Sequence, residues 1–404
     1  MPPTAAAPAG VSVAPAAGIA PHWWVILGIA IAHLINDVMQ SLLSALYPVL
    51  QAEFSLSFTQ IGLMSLAFMG TASVLQPLVG LATDRRPVPQ ALALGMAATL
   101  LGLIALAAGP SYAWLVLGAG LVGLGSAVFH PEASRVARAA ANGRFGTAQA
   151  FFQVGGNAGH AVGPLLAAFV VVPLGRLAVG AFAALALAGM ALVATIGRWH
   201  ERHRRAAAAR PPLRSTHTPL PRRTVILSLT VLALLVVSKN AYTAAMGSYF
   251  TFFTMARFGL NAQAAQLMLF AYLAASAAGV LAGGLLGDRV GPLTVIWVSI
   301  LGVLPLTLAL PNAGFGATLA LALAIGFVMA SAFPAIVVFA QELVPGRVGL
   351  IAGLFFGLAF GVGGVAAAAL GLLADARGIA FVFGLCAWLP AMGLLTILLP
   401  RRRT

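Results

Sequence analysis

Gly80-Leu81-Ala82-Thr83-Asp84-Arg85 and Gly284-Leu285-Leu286-Gly287-Asp288-Arg289 decide the reading of this chain, because they are one short phrase written twice. Each phrase closes a long apolar run, and the two lie 204 positions apart in a chain of 404 residues. The same offset relates Phe151-Phe152 to Phe355-Phe356, Gly159 to Gly363 and Asn36 to Asn240. A chain that repeats itself once at half its length predicts a two-fold pseudo-symmetric molecule. In a strongly apolar chain, that symmetry predicts two membrane bundles that rock about a central site.

Composition sets the solvent. Hydrophobic residues make up 61% of the chain and charged residues 7%, against about 25% charged in a soluble domain. With mean hydropathy at +1.01, lipid is the natural surrounding. A run of roughly 20 apolar residues spans about 30 Å of hydrocarbon. Twelve such runs are expected, near 23–48, 58–82, 90–109, 112–138, 147–172, 176–197, 224–254, 263–287, 292–310, 314–341, 348–373 and 378–399. The expected fold is therefore all-α: twelve transmembrane helices in two six-helix bundles, 21–197 and 224–404. Residues 198–223, with eight arginines and four prolines, read as the linker between bundles, with binding of anionic lipid as its other reading. Residues 1–20 contain no Lys or Arg; they lack the basic start of a signal peptide and read as a disordered tail.

The net charge of +14 would suggest nucleic acid in a soluble protein. Here the arginines sit in loops between apolar runs and report topology. With the N-terminus cytoplasmic, 18 arginines fall inside and three, Arg176, Arg257 and Arg377, fall outside. The positive-inside rule then places both termini in the cytoplasm. Cys386 is the one cysteine, so no intrachain disulfide forms. No metal-ligand spacing, nucleotide-binding loop or catalytic triad stands out, and no Walker A sequence points to ATP as the driving force. The sequence thus predicts neither an enzyme nor a cofactor or metal protein.

A charge in the bilayer centre costs at least about 2.5–3.5 kcal/mol, so such residues are functional candidates. Asp37 lies mid-way along the first span, on one helical face with His33, Gln40, Ser41 and Ser44. One polar stripe on an apolar helix should face a cavity, and a carboxylate there can take up and release protons. The alternative is an Asp held for packing alone. Lys239 lies mid-way along the seventh span, close to Ala241, the internal equivalent of Asp37, and shares a face with Tyr242, Met246 and Tyr249 or Phe250. It either pairs with Asp37 across a cavity or receives an anionic substrate; snorkelling to an interface is the bland reading. In Phe129-His130-Pro131-Glu132, His130 and Glu132 form a second titrating pair, or Glu132 latches a gate by pairing with Arg135 or the Asp84-Arg85 loop. Gln149, Gln153 and Asn157 recur every four residues on the fifth span and either line a cavity or join helices. Gly159 and Gly163 allow close helix approach, Pro164 bends the axis, and a moving seal is the functional reading. His33 and His160 also read as ordinary inter-helix hydrogen bonders, and Phe355, Phe356 and Phe360 as core or cavity lining.

The two Gly-x-x-x-Asp-Arg loops resemble the signature loop of the major facilitator superfamily, and Asp288-Arg289-Val290-Gly291 completes it. Gly159-x-x-x-Gly163-Pro164 resembles the fifth-helix motif of that superfamily's drug–proton antiporters. Gly123-Leu124-Gly125-Ser126-Ala127 is similar to their fourth-helix pattern, but Ala119 stands where those antiporters carry an arginine. A closer resemblance covers nearly the whole chain. His33-Leu34-Ile35-Asn36-Asp37, Tyr47-Pro48, Val128-Phe129-His130-Pro131-Glu132, Phe152-Gln153-Val154-Gly155-Gly156-Asn157 and Gln341-Glu342-Leu343-Val344-Pro345-Gly346-Arg347 resemble the fosmidomycin resistance protein family. That resemblance implies a bacterial inner-membrane exporter, working as a monomer, that uses the proton gradient to remove fosmidomycin, a small anionic phosphonate, or a related compound. In that setting Asp37, His33, Glu132 and His130 would carry coupling protons. Lys239 would attract the anion, while Tyr47, Gln40, Ser41, Gln153, Asn157, Tyr242 and Tyr249 would line the cavity. Asp84, Arg85, Asp288, Arg289 and Arg135, with Gly159, Gly163 and Pro164, would gate it. The same fold also suits a proton symporter importing a small metabolite.

Overall fold

The computed structural model describes residues 21–56, 58–208 and 220–400, and among them every regular element is helical. In the first half these are α1 (Trp23–Phe54), α2 (Phe58–Arg85), α3 (Ala91–Ala108), α4 (Tyr112–Ala140), α5 (Phe145–Leu166) and α6 (Phe182–Ala208). In the second half they are α7 (Arg222–Phe258), α8 (Ala262–Val290), α9 (Pro292–Asn312), α10 (Phe315–Leu343), α11 (Val348–Arg377) and α12 (Ile379–Leu398). Backbone polar groups have no water to turn to in hydrocarbon, so helices that satisfy themselves are the natural solution. Two of these spans change pitch: α9 carries a π-turn at Trp297–Leu301, and α12 tightens to 3₁₀ from Leu389.

Among the described residues, eleven segments are long and apolar enough to cross a membrane. The fifth expected span is not among them. Gln149, Gln153, Asn157, His160 and five glycines depress the hydropathy of α5, yet it packs along α1 through the middle of the first half. Its polar residues are tolerated because it is largely enclosed by protein, which also makes it a candidate for function.

Helix ends follow local chemistry. Asn261 caps α8 by accepting from the Ala264 N–H at 2.8 Å. At the other end of α8, Gly291 adopts φ +85°, a conformation a Cβ would strain; this glycine completes Asp288-Arg289-Val290-Gly291, and Pro87 stands at the matching position of the first copy. The polar segment expected at 198–223 is helical at both flanks, since Arg198–Arg205 belong to α6 and Arg222 and Arg223 begin α7. Residues 209–219, the expected tail 1–20 and Arg401–Arg403 lie outside the described residues.

Within the first half, α1 lies on α5, and α2 and α3 lie on α4. Within the second, α8 lies on α10 and α7 on α11 and α12. The halves meet along two lines related by the repeat, α2 against α11 and α5 against α8.

Candidate functional site

The repeated phrase closes one end of the interface, here termed the loop face. Gly80 on α2 brings its backbone against Gly349 at the start of α11, and Gly284 on α8 brings its backbone against Gly146 at the start of α5; a Cβ on any of the four would overlap its neighbour. Beside each contact an aspartate caps the opposing helix. Asp84 accepts from the N–H groups of Gly349 (3.0 Å) and Leu350 (2.8 Å). Asp288 accepts from the N–H groups of Gly146 (2.7 Å) and Thr147 (2.9 Å) and from the Thr147 hydroxyl. Helix N-termini carry unsatisfied N–H groups and a positive dipole end, so a carboxylate is the fitting partner. Arg135 on α4 joins the first latch, donating to Asp84 at 2.6 Å and Glu132 at 2.7 Å. Glu132 therefore belongs to the latch. Arg85 and Arg289 are exposed beside it. A third tie crosses the halves where Gln341 on α10, buried, donates to Ser134 on α4, which donates to Gln149.

Along α5 and α8 the halves part toward the opposite end, whereas α2 and α11 stay in contact as far as Met69 and Gly364. Gly146 and Gly284 touch, but Asn157 and Leu273, each eleven residues farther along its helix on the same face, are exposed. Eleven residues are three turns, about 16 Å. The result is a cleft between the halves that is shut at the loop face and open at the other, with His160 and Ala161 also exposed on α5.

Asp37 stands at the closed end of this cleft. The glycine face of α5 makes its setting: Cβ atoms at Gly155, Gly156, Gly159 and Gly163 would run into Ala30, His33, Leu34 with Asp37, and Ser41 of α1. These glycines seal α5 onto α1 within one half. The close packing expected of them is present, and it brings His160 of α5 to the carboxylate that His33 of α1 and His130 of α4 also face. His33 Nε2 is 3.1 Å from Asp37 Oδ2, His160 Nδ1 is 3.0 Å from the same oxygen, and His130 Nε2 is 3.8 Å from Oδ1. Asn36 and Gln40 donate to Oδ1 at 3.0 and 3.2 Å. Asp37, His33 and His130 are at most 2% exposed, whereas the His160 side chain is 47% exposed. His130, which the sequence paired with Glu132, points to this cluster instead, because two residues of helix turn the chain through about 200°.

Hydrogen positions follow from the partners. His33 Nδ1 is 2.6 Å from the Phe152 carbonyl and His130 Nδ1 is 2.9 Å from the Ser126 carbonyl. A carbonyl only accepts, so both Nδ1 atoms carry hydrogen. Their Nε2 atoms then face each other at 3.2 Å. With hydrogen on both Nδ1 atoms, His33 Nε2 is the atom that exchanges a hydrogen with Asp37 Oδ2 at 3.1 Å. Rings close the cluster on the loop-face side: Phe152 stacks on His33 (4.0 Å), and Phe356 and Phe360 of α11 lie 5.3 and 5.2 Å from His130.

Lys239 is half-buried on α7, with its Nζ 5.4 Å from the Phe333 ring centroid. Among the described residues no ion pair joins it to Asp37; Phe333 and Phe356, 5.2 Å apart, stand between Lys239 and His130. The expected cavity residues divide. Gln40 binds Asp37, Ser41 donates to the Val38 carbonyl, and Tyr47 accepts from Ser65. Gln153 is half-buried and Asn157 exposed on α5. Tyr249 donates to the Ala367 carbonyl, tying α7 to α11. Tyr242 is 1% exposed within the second half's core, so it does not line the cleft. Of Pro164, only its place within α5 is described.

The sequence profile of the Major Facilitator Superfamily matches residues 29–368. The chain belongs to that superfamily. It is 52% identical to the fosmidomycin resistance protein of Escherichia coli (strain K12) over 379 residues, 94% of this chain and 93% of the relative. It is 38% identical over 378 residues to the MFS-type transporter YfnC of Bacillus subtilis (strain 168), covering 93% and 92% of the two chains. In fold it is similar to the human organic anion transporter MFSD10, with TM-score 0.74, 17% identity, and coverage of 95% of this chain and all of that one. The chain is thus a multi-pass membrane transporter rather than an enzyme, with paired aspartate caps joining its halves at one face and a carboxylate–histidine cluster inside its first half.

Proposed function

We propose that this chain is a proton-coupled antiporter that exports a small anionic drug of the fosmidomycin class by alternating access. The observation that carries the proposal is Asp37: a carboxylate buried at the closed end of an open cleft and held by three histidines. Such a group can change protonation with little else disturbed, and transport needs a group whose charge differs between the two half-cycles. The name of the Escherichia coli relative supports the substrate class. Lys239, facing the interface from the second half and free of an acidic partner among the described residues, is suited to the anionic end of that substrate. The arginine count supports a bacterial inner-membrane orientation in which the loop face and both termini are cytoplasmic, so the conformation described opens outward. The bundles 21–197 and 224–404 would then move as the two rocking bodies, and one monomer contains every part named.

The test is transport of fosmidomycin in proteoliposomes with an imposed pH gradient. Uptake against the drug gradient when the drug-entry side is the more alkaline, lost in Asp37→Asn at equal incorporation, is the expected result. Drug moving together with protons would instead make the chain a symporter, and no drug movement would remove the substrate assignment.

A further inference from the structure

We infer that His160 is the proton door between the open cleft and Asp37, and that His33 and His130 carry the same proton toward the loop face. This rests on the proton-coupled reading above and assigns its route.

The order of the four groups along the membrane normal comes from chain direction. α1 and α5 run from the loop face toward the open face, and α4 runs the other way. His160 lies on α5 level with Asp37, since Gly159 packs on Leu34 and Asp37 and Gly163 on Ser41, and it is exposed, while His33 lies one turn before Asp37, on the loop side. His130 contacts His33 from α4. Oδ2 of Asp37 is the meeting point, 3.0 Å from His160 Nδ1 and 3.1 Å from His33 Nε2. His160 Nδ1 also lies 3.3 Å from the Gly156 carbonyl, an acceptor, so its hydrogen is on Nδ1 and aimed at the carboxylate. At 47% exposure, this is the one member of the cluster that reaches the cleft.

The transfer step balances. A hydronium ion in the cleft gives a proton to His160 Nε2 while the Nδ1 hydrogen passes to Asp37 Oδ2. Hydronium becomes water, the carboxylate becomes a carboxylic acid, and the ring stays neutral with its hydrogen on Nε2. Exchange with water, which takes the Nε2 hydrogen and supplies one at Nδ1, returns the ring to its starting tautomer. For inward passage Asp37 gives its Oδ2 hydrogen to His33 Nε2, His33 hands the Nε2 hydrogen on to His130 Nε2, and His130 releases a proton to water from the loop face, which restores the carboxylate and two neutral rings. That pair is covered by Phe356 and Phe360, which belong to the other half and leave when α11 separates from α2 and α4. One carboxylate would then have two doors, and each opens in a different conformation.

The titratable and charged groups facing His160 are Asp37 and His33 from α1 and His130 from α4. From the second half, the described contacts to the cluster are aromatic, and Lys239 on α7 is held off by Phe333. Removal of His160 should therefore alter the rate of protonation of Asp37 more than the bonding that holds Asp37 in place. Gln at this position still donates to Oδ2.

The experiment needs no substrate. Purified protein is jumped in pH, and protonation of Asp37 is followed by its carboxylic-acid infrared band, assigned by its loss in Asp37→Asn. His160→Gln should slow the band by about 100-fold, the low end of what a positioned proton-transfer group contributes, with the final amplitude kept. His160→Ala should be equally slow and regain speed with added imidazole, which a purely structural role would not produce. His203→Gln, at the loop face, serves as the control and should match wild type. Equal rates in wild type and both His160 variants would overturn the door while leaving proton coupling intact. No Asp37 band change in wild type would overturn the coupling itself, and the door with it.

Discussion

Asp84→Asn tests the loop-face latch with almost no change of shape. Asp84 Oδ1 accepts from Arg135 (2.6 Å) and the Gly349 N–H (3.0 Å), and Oδ2 accepts from the Leu350 N–H (2.8 Å). An amide keeps one oxygen and turns the other into a donor. In either orientation, an NH₂ then faces a donor, and the charge opposite Arg135 and the α11 N-terminus is gone. A hydrogen bond to a charged group contributes about 1.5–3 kcal/mol, and an anion at a helix N-terminus about 0.3–1 kcal/mol. Arg135 keeps Glu132, which holds the net loss to about 2–3 kcal/mol. That shifts the closed–open equilibrium of the loop face by roughly 30- to 150-fold. Spin labels at Val88 and Val290, exposed near the two loop-face phrases, in a Cys386→Ser background would report it as a longer distance population. An unchanged distance distribution in Asp84→Asn would refute the latch. Asp288→Asn, which breaks the repeat-related cap on α5, should shift the population in the same direction.

Three other outcomes follow from the geometry. Asp37→Asn should abolish the pH-gradient dependence of transport and lower driven flux by roughly 100-fold, read in proteoliposomes against equal incorporation; retained coupling would move the proton site elsewhere. Gly159→Leu forces a side chain into Leu34 and Asp37 across the α1–α5 seam and should destabilise by about 1–3 kcal/mol or more, read as a lower thermal midpoint in detergent, with transport lost. Lys239→Gln should raise KM for an anionic substrate roughly ten-fold, about one charge-assisted hydrogen bond, and leave a neutral analogue unaffected; equal effects on both would deny Lys239 a charge role.

Legibility in the sequence stopped where three-dimensional neighbours begin. The repeat, the helical spans and the isolated acids were readable because they depend on one-dimensional quantities: offset, hydropathy and helical period. Asp37 stood out because a single charge in a long apolar run has few innocent explanations. Its partners did not. His130 and His160 come from α4 and α5, and helical spacing tells which residues share a face but not which helices face each other. One signal was available: the stripe Gln149, Gln153, Asn157 continues to His160, and the glycines beside it at 155, 156, 159 and 163 mark the face that another helix approaches. The pairing of Glu132 with His130 was misleading for the converse reason. Residues two apart on a helix point nearly opposite ways, and here one serves the latch and the other the cluster. The Asp37–Lys239 pair expected from opposite charges is absent among the described residues because aromatic rings occupy the space between them.

What the two halves keep in common, and what they do not, separates motion from chemistry. Gly80 and Asp84 have Gly284 and Asp288 at the repeat offset, and each pair meets the start of the opposing half's α5 or α11. In the proposed alternating-access cycle both lines of contact close and release together, which accounts for both copies keeping the same chemistry. The cluster shows no such duplication. At the repeat offset, His33, Asp37, His130 and His160 become Val237, Ala241, Pro334 and Gly364. Two equivalent buried carboxylates would each add the desolvation cost of a charge and would allow two protons to bind independently, with no requirement that either follow the substrate. In the proposed cycle, a single carboxylate on one side of the interface, with Lys239 on the other, would give it one proton site and one anion site in different bodies. Rocking then changes what covers each of them at the same moment. On this basis, transferring the acid to the second half, as Asp37→Ala with Ala241→Asp, should restore a buried charge but not coupled transport, because Val237, Pro334 and Gly364 provide no histidine to exchange the proton. Recovery of pH-driven flux in that double variant would show that the acid alone suffices and that the histidines are packing.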